Sequence, residues 1–441
     1  MTYADIILPL PLEGYFTYCV PDTLAPRLQP GCRVRVPLGK TKTYTGLVAA
    51  LHDQVPAGLK TGKEGVKSIV EMMDPGPVLL PQQLRLWQWI ADYYLSPIGD
   101  VYKAALPSGL KAEDDYRPKT ETYVVLADDF RSAQALRAAQ AMLQRAPAQQ
   151  KVLRVYLELA SVSEENPVPQ REITREELMN EAHCTTTVLR QFLDRRILRQ
   201  YEKEVGRIPL GGMPHPEHIK PLSEAQADAY NQILVQQMSK DITLLHGVTS
   251  SGKTEIYIHL IQRALDEGRQ VLYLLPEIAL TVQMMQRLRR VFGDRLGIYH
   301  SRYSDAERVE IWKRQLSDHP YDVILGARSA LFLPFQRLGL VIVDEEHEQS
   351  FKQMDPAPRY HARSAAIILA KLCGAKVLLG TATPSSESYW NAQTGKYGYV
   401  RLDKRYQDMA LPAVEVVDVK DLRRRKMMTG HFSPRLLAAL R

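Results

Sequence analysis

Gly247-Val248-Thr249-Ser250-Ser251-Gly252-Lys253-Thr254 is the stretch on which the fold of this 441-residue chain turns. Two glycines with four residues between them are followed by Lys-Thr, the spacing of a phosphate-binding loop. Small residues let successive backbone N–H groups curl around phosphate oxygens. A helix opening just after them adds the partial positive charge of its N-terminus. The flanks suit this reading: an apolar run of strand length, Ile242–Leu245, comes before the loop and a helical pattern, Glu255–Leu265, after it. Gly247, Val248, Thr249, Ser250, Ser251 and Gly252 are then expected to cradle a nucleotide such as ATP. Lys253 reaches its terminal phosphates and Thr254 ligates Mg²⁺.

Some ninety residues on, Asp344-Glu345-Glu346-His347 closes a second apolar run, Leu340–Val343. A carboxylate at the carboxyl end of a parallel strand points into the crevice where ligands bind. Asp344 is expected to hold Mg²⁺, directly or through water, and Glu345 to polarise the attacking water. His347 joins Lys253, Asp344 and Glu345 in the expected catalytic set. An acidic cluster can also be a solvated turn, but one that ends a hydrophobic strand downstream of a P-loop is poorly explained that way. A third strand, Val377–Leu379, runs into Gly380-Thr381-Ala382-Thr383-Pro384-Ser385, whose small hydroxyl residues can link the phosphate site to its neighbours.

Outward from these motifs, apolar runs at Ile242–Leu245, Val271–Leu275, Val323–Leu325, Leu340–Val343 and Val377–Leu379 alternate with helical patterns. Continuous apolar strands between helices predict a parallel sheet covered on both faces. Residues 211–441 therefore read as a RecA-like P-loop lobe, entered through the linker Gly211–Pro216. Residues 1–110 read as a β-rich module with short strands at Ile6–Leu8, Phe16–Val20, Cys32–Val36 and Tyr44–Ala50, then a helix over Gln82–Tyr94. Residues 111–210 read as mostly helical: Ser132–Arg145, Lys151–Leu159, Glu172–Ala182 and Thr185–Arg195, closed by a strand over Ile197–Val205. That order is winged-helix-like, though a small helical linker domain shares it. The whole is a multidomain α/β protein.

Composition is that of an ordinary globular chain, with 45% hydrophobic and 24% charged residues. The net charge of +7 favours polyanionic partners without identifying one. The cysteines, Cys19, Cys32, Cys184 and Cys373, are scattered and contain no Cys-x-x-Cys pair, which argues against a disulfide framework or a zinc site within the chain. Met1–Asp5 lacks the basic start of a signal peptide, and no run approaches the 18–20 apolar residues that span a bilayer. A cytoplasmic protein without a membrane partner is expected.

The P-loop, the acidic box and the Gly380–Ser385 segment resemble motifs I, II and III of superfamily 2 helicases. Leu275–Thr281 resembles motif Ia and Gly326–Phe332 motif Ib. The run Gln349-Ser350-Phe351-Lys352-Gln353 and then Arg359-Tyr360-His361-Ala362-Arg363 resembles the aromatic-rich loop of the PriA family of replication-restart DNA helicases. At the N-terminus, Leu8–Leu12, Phe16-Thr17-Tyr18 and Gly31–Gly39 resemble that family's 3′-end-binding domain. The resemblance implies an ATP-driven 3′ to 5′ DNA helicase that recognises stalled or abandoned forks. It implies forked and single-stranded DNA, primosome proteins and single-stranded DNA-binding protein as partners; a monomer is expected. Phe351, Lys352, Arg359, Tyr360 and His361 would sense single-stranded DNA, with Arg328 and Ser329 along the strand path; without the resemblance, Phe351 and Tyr360 read rather as core aromatics. Gln226 would read adenine, and Phe16, Gly39 and Lys67 would line a pocket for a free 3′ end. Thr17 stands where relatives often carry Asp.

Arg441 falls ahead of the cysteine-rich zinc segment and the second motor lobe of the family pattern, so zinc is expected only in that further region. The basic run Arg423–Lys426 reads either as a DNA-contacting patch or as a solvated loop. Two rival functions stay open: a fork-binding and loading factor whose ATP site is a relic, and a different superfamily 2 motor.

Overall fold

A computed structural model describes residues 2–54, 66–111, 119–208, 212–404 and 414–440. Gly211, the start of the expected linker, and the stretch 112–118 after the first expected boundary lie outside the described residues. The N-terminal module is an antiparallel sheet of β1 (Tyr3–Ile7), β2 (Phe16–Cys19), β3 (Arg33–Leu38), β4 (Lys42–His52) and β5 (Glu71–Met72), ordered β2-β1-β4-β3-β5. Alternation places Ile6, Val34, Val36 and Val48 on one buried face.

Helix α1 (Pro81–Tyr93) starts on a proline, whose fixed φ suits the first helical position. It is followed by α2 (Ile98–Ala105) and the single turn α3 (Ser108–Lys111). Leu86, Trp87 and Ile90 of α1 do not close a separate domain. They share one apolar core with Trp312, Phe332 and Phe335 of the C-terminal lobe. Hydrogen bonds fix this junction: Trp312 Nε1 donates to the Val78 carbonyl (2.8 Å), and Gln83 Nε2 to that of Phe332 (2.5 Å).

The middle segment has its own core, which includes Val124, Leu136, Tyr156 and Phe192. Its elements are β6 (Thr120–Leu126), α4 (Ala133–Met142), α5 (Pro147–Leu159), β7 (Ile173–Thr174), α6 (Arg175–Ala182), α7 (Thr186–Asp194) and β8 (Leu198–Glu204). The mostly helical expectation needs a correction here. β6 precedes the helices and pairs antiparallel with β8 from Thr120↔Glu204 to Leu126↔Leu198, at the centre of a sheet ordered β7-β6-β8. Its partner lies about seventy residues away in sequence, so no local signal announces the pairing. On and just after α7, Arg190, Arg195 and Arg196 are all exposed, and Arg195 also donates to Gln149 of α5 (3.1 Å).

The lobe comprises α8 (Glu224–Ser239), β9 (Ile242–Gly247), α9 (Lys253–Asp266), β10 (Gln270–Leu274), α10 (Val282–Phe292), β11 (Leu296–Tyr299), α11 (Asp305–Leu316), β12 (Val323–Gly326), β13 (Leu338–Asp344), α12 (Ala362–Cys373), β14 (Lys376–Thr381), α13 (Ser386–Gln393) and β15 (Gly398–Leu402). All recorded pairings in its sheet are parallel, in the order β11-β12-β10-β13-β14-β9-β15. The five expected strands form its middle; the two edge strands, β11 and β15, were not anticipated. They are short, and an edge position removes the need for a long apolar run. Beyond the lobe, α14 (Val419–Arg424) and α15 (Pro434–Ala439) are short, and Arg423–Lys426 is exposed at the end of α14. Among the described residues no helix is long and apolar enough to cross a membrane.

Candidate functional site

Strand register assembles the site. β14 lies between β13 and β9, with Asp344 opposite Gly380 and Gly380 opposite Leu245. The carboxyl ends of three strands thus bring the acidic box, the Gly380–Ser385 segment and the P-loop to one edge, the position at which open α/β sheets bind ligands.

The P-loop turns between β9 and α9 through two left-handed residues, Ser250 (φ +63°) and Gly252 (φ +80°). Lys253, Thr254, Asp344 and Glu345 line one cavity of about 800 Å³. Lys253 Nζ donates to the Gly247 carbonyl (3.0 Å), and Ser251 Oγ is buried with no protein partner. An ammonium on a loop carbonyl and an orphaned hydroxyl both suit a phosphate entering the loop. Gln226, the expected adenine reader, also lines this cavity, but its amide already has partners. Nε2 donates to the Ser251 carbonyl (3.1 Å) and Oε1 accepts from Ser223 N–H (2.9 Å), so the side chain braces the P-loop against the start of α8.

Asp344 is only 7% exposed. Burial, reinforced by the neighbouring Glu345 charge, lifts its carboxyl to about 6. Two tyrosines donate to it, Tyr257 to Oδ1 (2.9 Å) and Tyr273 to Oδ2 (3.3 Å). A buried carboxylate pushed toward neutrality fits a cation, and its nearness to Thr254 fits Mg²⁺ held by few protein ligands and by phosphate. Among the described residues no cluster of three or more His, Cys, Asp or Glu forms a self-sufficient metal site. Glu345 adopts φ +49°, a left-handed conformation uncommon for a side chain of this kind. His347 does not reach the phosphate loop; its ring bonds Thr381 Oγ1 (2.8 Å) and Thr383 Oγ1 (3.3 Å), tying the box to the segment after β14.

The sequence did not single out Glu346, yet it is the most deeply held acid of the box. At 0% exposure it takes Arg363 Nη1 (2.6 Å), Ser385 N–H (2.7 Å), Ser385 Oγ (3.0 Å) and Ser388 Oγ (2.8 Å). It thereby joins β13, α12 and α13. Only the tertiary arrangement brings Arg363 and the two serines to it.

The expected DNA-sensing loop needs a correction. Phe351 and Tyr360 are each 1% exposed and belong to the lobe's core, with Tyr360 edge-on to Phe332 at 5.2 Å. Rings buried this way gain apolar burial and have no free face for a base. The outward groups of the loop include Gln349, Ser350, Met354, Asp355 and Arg359, the last two paired at 3.7 Å, with Lys352 half-buried. Lys352 Nζ donates to the Arg359 carbonyl and lies 5.0 Å from the Tyr94 ring. Arg328 donates to the Lys352 carbonyl (3.2 Å), and both line a cavity of about 500 Å³ with Ser350, Leu275 and Pro276. Ser329 is half-buried in the turn after β12. His361 is held neutral: burial, then the Arg363 and Lys352 charges, push its ring down to about 4.

In the N-terminal module Lys67 Nζ donates to the carbonyl of Gly39, which sits at φ +69° between β3 and β4. Phe16 opens β2 opposite Ile6. The Thr17 hydroxyl donates to Asp5 Oδ1 (2.7 Å), so a carboxylate stands beside this position.

The fold and this site define a motor lobe of the P-loop helicase class, and residues 223–390 match the DEAD/DEAH box helicase model. Residues 5–107 match the 3′DNA-binding domain (3′BD) model, and residues 121–205 match the model described as winged helix domain, PriA helicase, Bacteroidota. The chain belongs to the PriA family of replication restart proteins. It is 33% identical over 425 residues to the replication restart protein PriA of Haemophilus influenzae, covering 96% of this chain and 54% of the relative. With the PriA of Bacillus subtilis it shares 31% identity over 474 residues, covering 96% and 58%. The chain thus spans little more than half the length of these relatives. Among solved structures, Mycobacterium smegmatis helicase Lhr bound to ssDNA and AMP-PNP is 24% identical over 42% of this chain and 26% of that chain, with a TM-score of 0.31.

Proposed function

We propose that this chain carries the DNA-binding module and first motor lobe of an ATP-dependent 3′ to 5′ DNA helicase that recognises stalled or abandoned forks and initiates replication restart. The carrying observation is the convergence of Lys253, Thr254, Asp344 and Glu345 on one cavity, in a lobe that shares its core with the N-terminal module. Lys253 exchanges the Gly247 carbonyl for the terminal phosphates. Thr254 and Asp344 hold Mg²⁺, which when bound neutralises charge on the phosphate oxygens. Glu345 orients and deprotonates the attacking water. His347 carries the state of the site to Thr381 and Thr383. Lys352, Arg359, Arg328 and Ser329 face the single strand, and Phe16, Gly39 and Lys67 the 3′ end. Its proposed partners are primosome proteins and single-stranded DNA-binding protein, a reading that rests on the family resemblance of the sequence, and its proposed state is a cytoplasmic monomer.

The test is ATP hydrolysis by the full-length gene product with and without forked DNA, beside Lys253→Ala. Strong stimulation that the variant loses is expected. Hydrolysis indifferent to DNA, or equal in the variant, would overturn the motor reading in favour of a fork-binding factor.

A further inference from the structure

Two buried hydroxyls converge on Asp344 that the proposed chemistry leaves unused. Tyr257 lies one turn into α9 beyond Lys253, and Tyr273 lies on β10, two strands away from β14. Both are 0% exposed, their rings edge to face at 5.6 Å. A buried phenol must find an acceptor, but any carbonyl would satisfy one. Here hydroxyls from separate elements donate to the two oxygens of one carboxylate, at 2.9 Å and 3.3 Å. Oδ1 also takes the Glu345 N–H at 3.1 Å. A carboxylate has about four acceptor positions, so Oδ2, with its single longer contact, is the freer oxygen.

Gly380 makes this arrangement possible. A Cβ there would lie 1.8 Å from the Tyr257 hydroxyl and 3.3 Å from Asp344 Oδ1. Gly380 is absent from the glycines at positive φ, so its backbone does not require glycine. What requires it is space: the residue opposite Asp344 in the β13–β14 register must be small enough to admit the hydroxyl.

We infer that Tyr257 and Tyr273 are positioning residues that fix the rotation of the Asp344 carboxylate for a nucleotide-bound Mg²⁺, and that Gly380 is the gap through which Tyr257 reaches it. Groups that hydrogen-bond a metal ligand set its orientation, and losing one typically costs 10–100-fold in metal affinity. The inference rests on the nucleotide-site reading.

The test is binding of the fluorescent nucleotide mant-ADP to residues 1–441, first in EDTA and then across a MgCl₂ titration, for wild type, Tyr257→Phe, Tyr273→Phe and Gly380→Ala. Phenylalanine keeps the ring and its packing, and circular dichroism melting checks the fold. The expected result is unchanged affinity in EDTA and a half-saturating Mg²⁺ concentration raised roughly tenfold in Tyr257→Phe, with a smaller rise in Tyr273→Phe. A folded Tyr257→Phe with the wild-type Mg²⁺ dependence would overturn the inference, leaving the hydroxyl as a buried group that merely found an acceptor. If Gly380→Ala does not fold, the two phenylalanine variants still decide. Wild type that binds no mant-ADP at any Mg²⁺ concentration would instead sink the nucleotide-site reading, and the inference with it.

Discussion

Lys253, Gly252 and Glu345 each do something a neighbouring residue type cannot. Lys253 is the cation at the mouth of α9, so Lys253→Ala is expected to weaken mant-ADP binding at least tenfold in a fluorescence titration. Wild-type affinity in the variant would remove Lys253 from the site. Gly252 has φ +80°, and a Cβ on it would come within 2.2 Å of Gln226 Nε2. Gly252→Ala combines left-handed strain of about 1–2 kcal/mol with displacement of the Gln226 brace, and should weaken nucleotide binding in the same titration. Glu345→Gln preserves shape and removes the proposed base. In the full-length gene product it should bind nucleotide normally while turnover falls roughly 10²–10⁴-fold; a coupled phosphate-release assay that finds normal turnover would exclude Glu345 as the base.

Between elements, the Glu346–Arg363 pair locks the ends of β13, α12 and α13 together. Removing one partner of a buried ion pair strands the other charge and costs about 3–5 kcal/mol. Arg363→Ala should therefore lower the urea midpoint of the lobe, and an unchanged midpoint would show the pair to be energetically idle. Next to it, His361 titrates against its surroundings. Its folded value, about 4, lies below the ordinary 6.5: burial presses it down first, then Arg363 and Lys352, with Glu346 and Glu387 opposing them. The neutral ring is thus the form the fold favours. Its contribution is complete above about 6.5 and is lost as pH falls toward 4. Wild type should lose more stability than His361→Gln across that window in urea melts at stepped pH. Equal losses would mean that His361 is not the group responsible.

For the whole molecule, the main consequence is that the first helical pair and the lobe are not separable. Trp87, Leu86 and Ile90 share a core with Trp312, Phe332 and Phe335. Trp87→Ala should destabilise by about 3–5 kcal/mol, measured as a shift of the unfolding transition that contains the lobe. A lobe expressed from residue 212 without residues 1–111 would bare that core, and is expected to aggregate where the full chain stays monodisperse in size-exclusion chromatography.

The sequence alone carried the P-loop, the acidic box and the middle five strands of the parallel sheet. Each of these is local: a glycine spacing, a carboxylate ending an apolar run, a period of burial. It also carried four of the five N-terminal strands, while the two-residue β5, which pairs with β3, was not anticipated. Other features depend on partners far along the chain, and only the tertiary structure decided them. β6 needs β8 across the winged-helix sheet. Glu346 gains its meaning from Arg363 and Ser388, and Asp344 from Tyr257 and Tyr273. Phe351 and Tyr360 read as stacking faces from the resemblance and as core aromatics from the residues alone, and packing put them in the core. The physical reason is the same throughout. Backbone pattern and turn chemistry are fixed within a few residues, whereas burial and hydrogen-bond satisfaction depend on which distant segments the folded chain brings together.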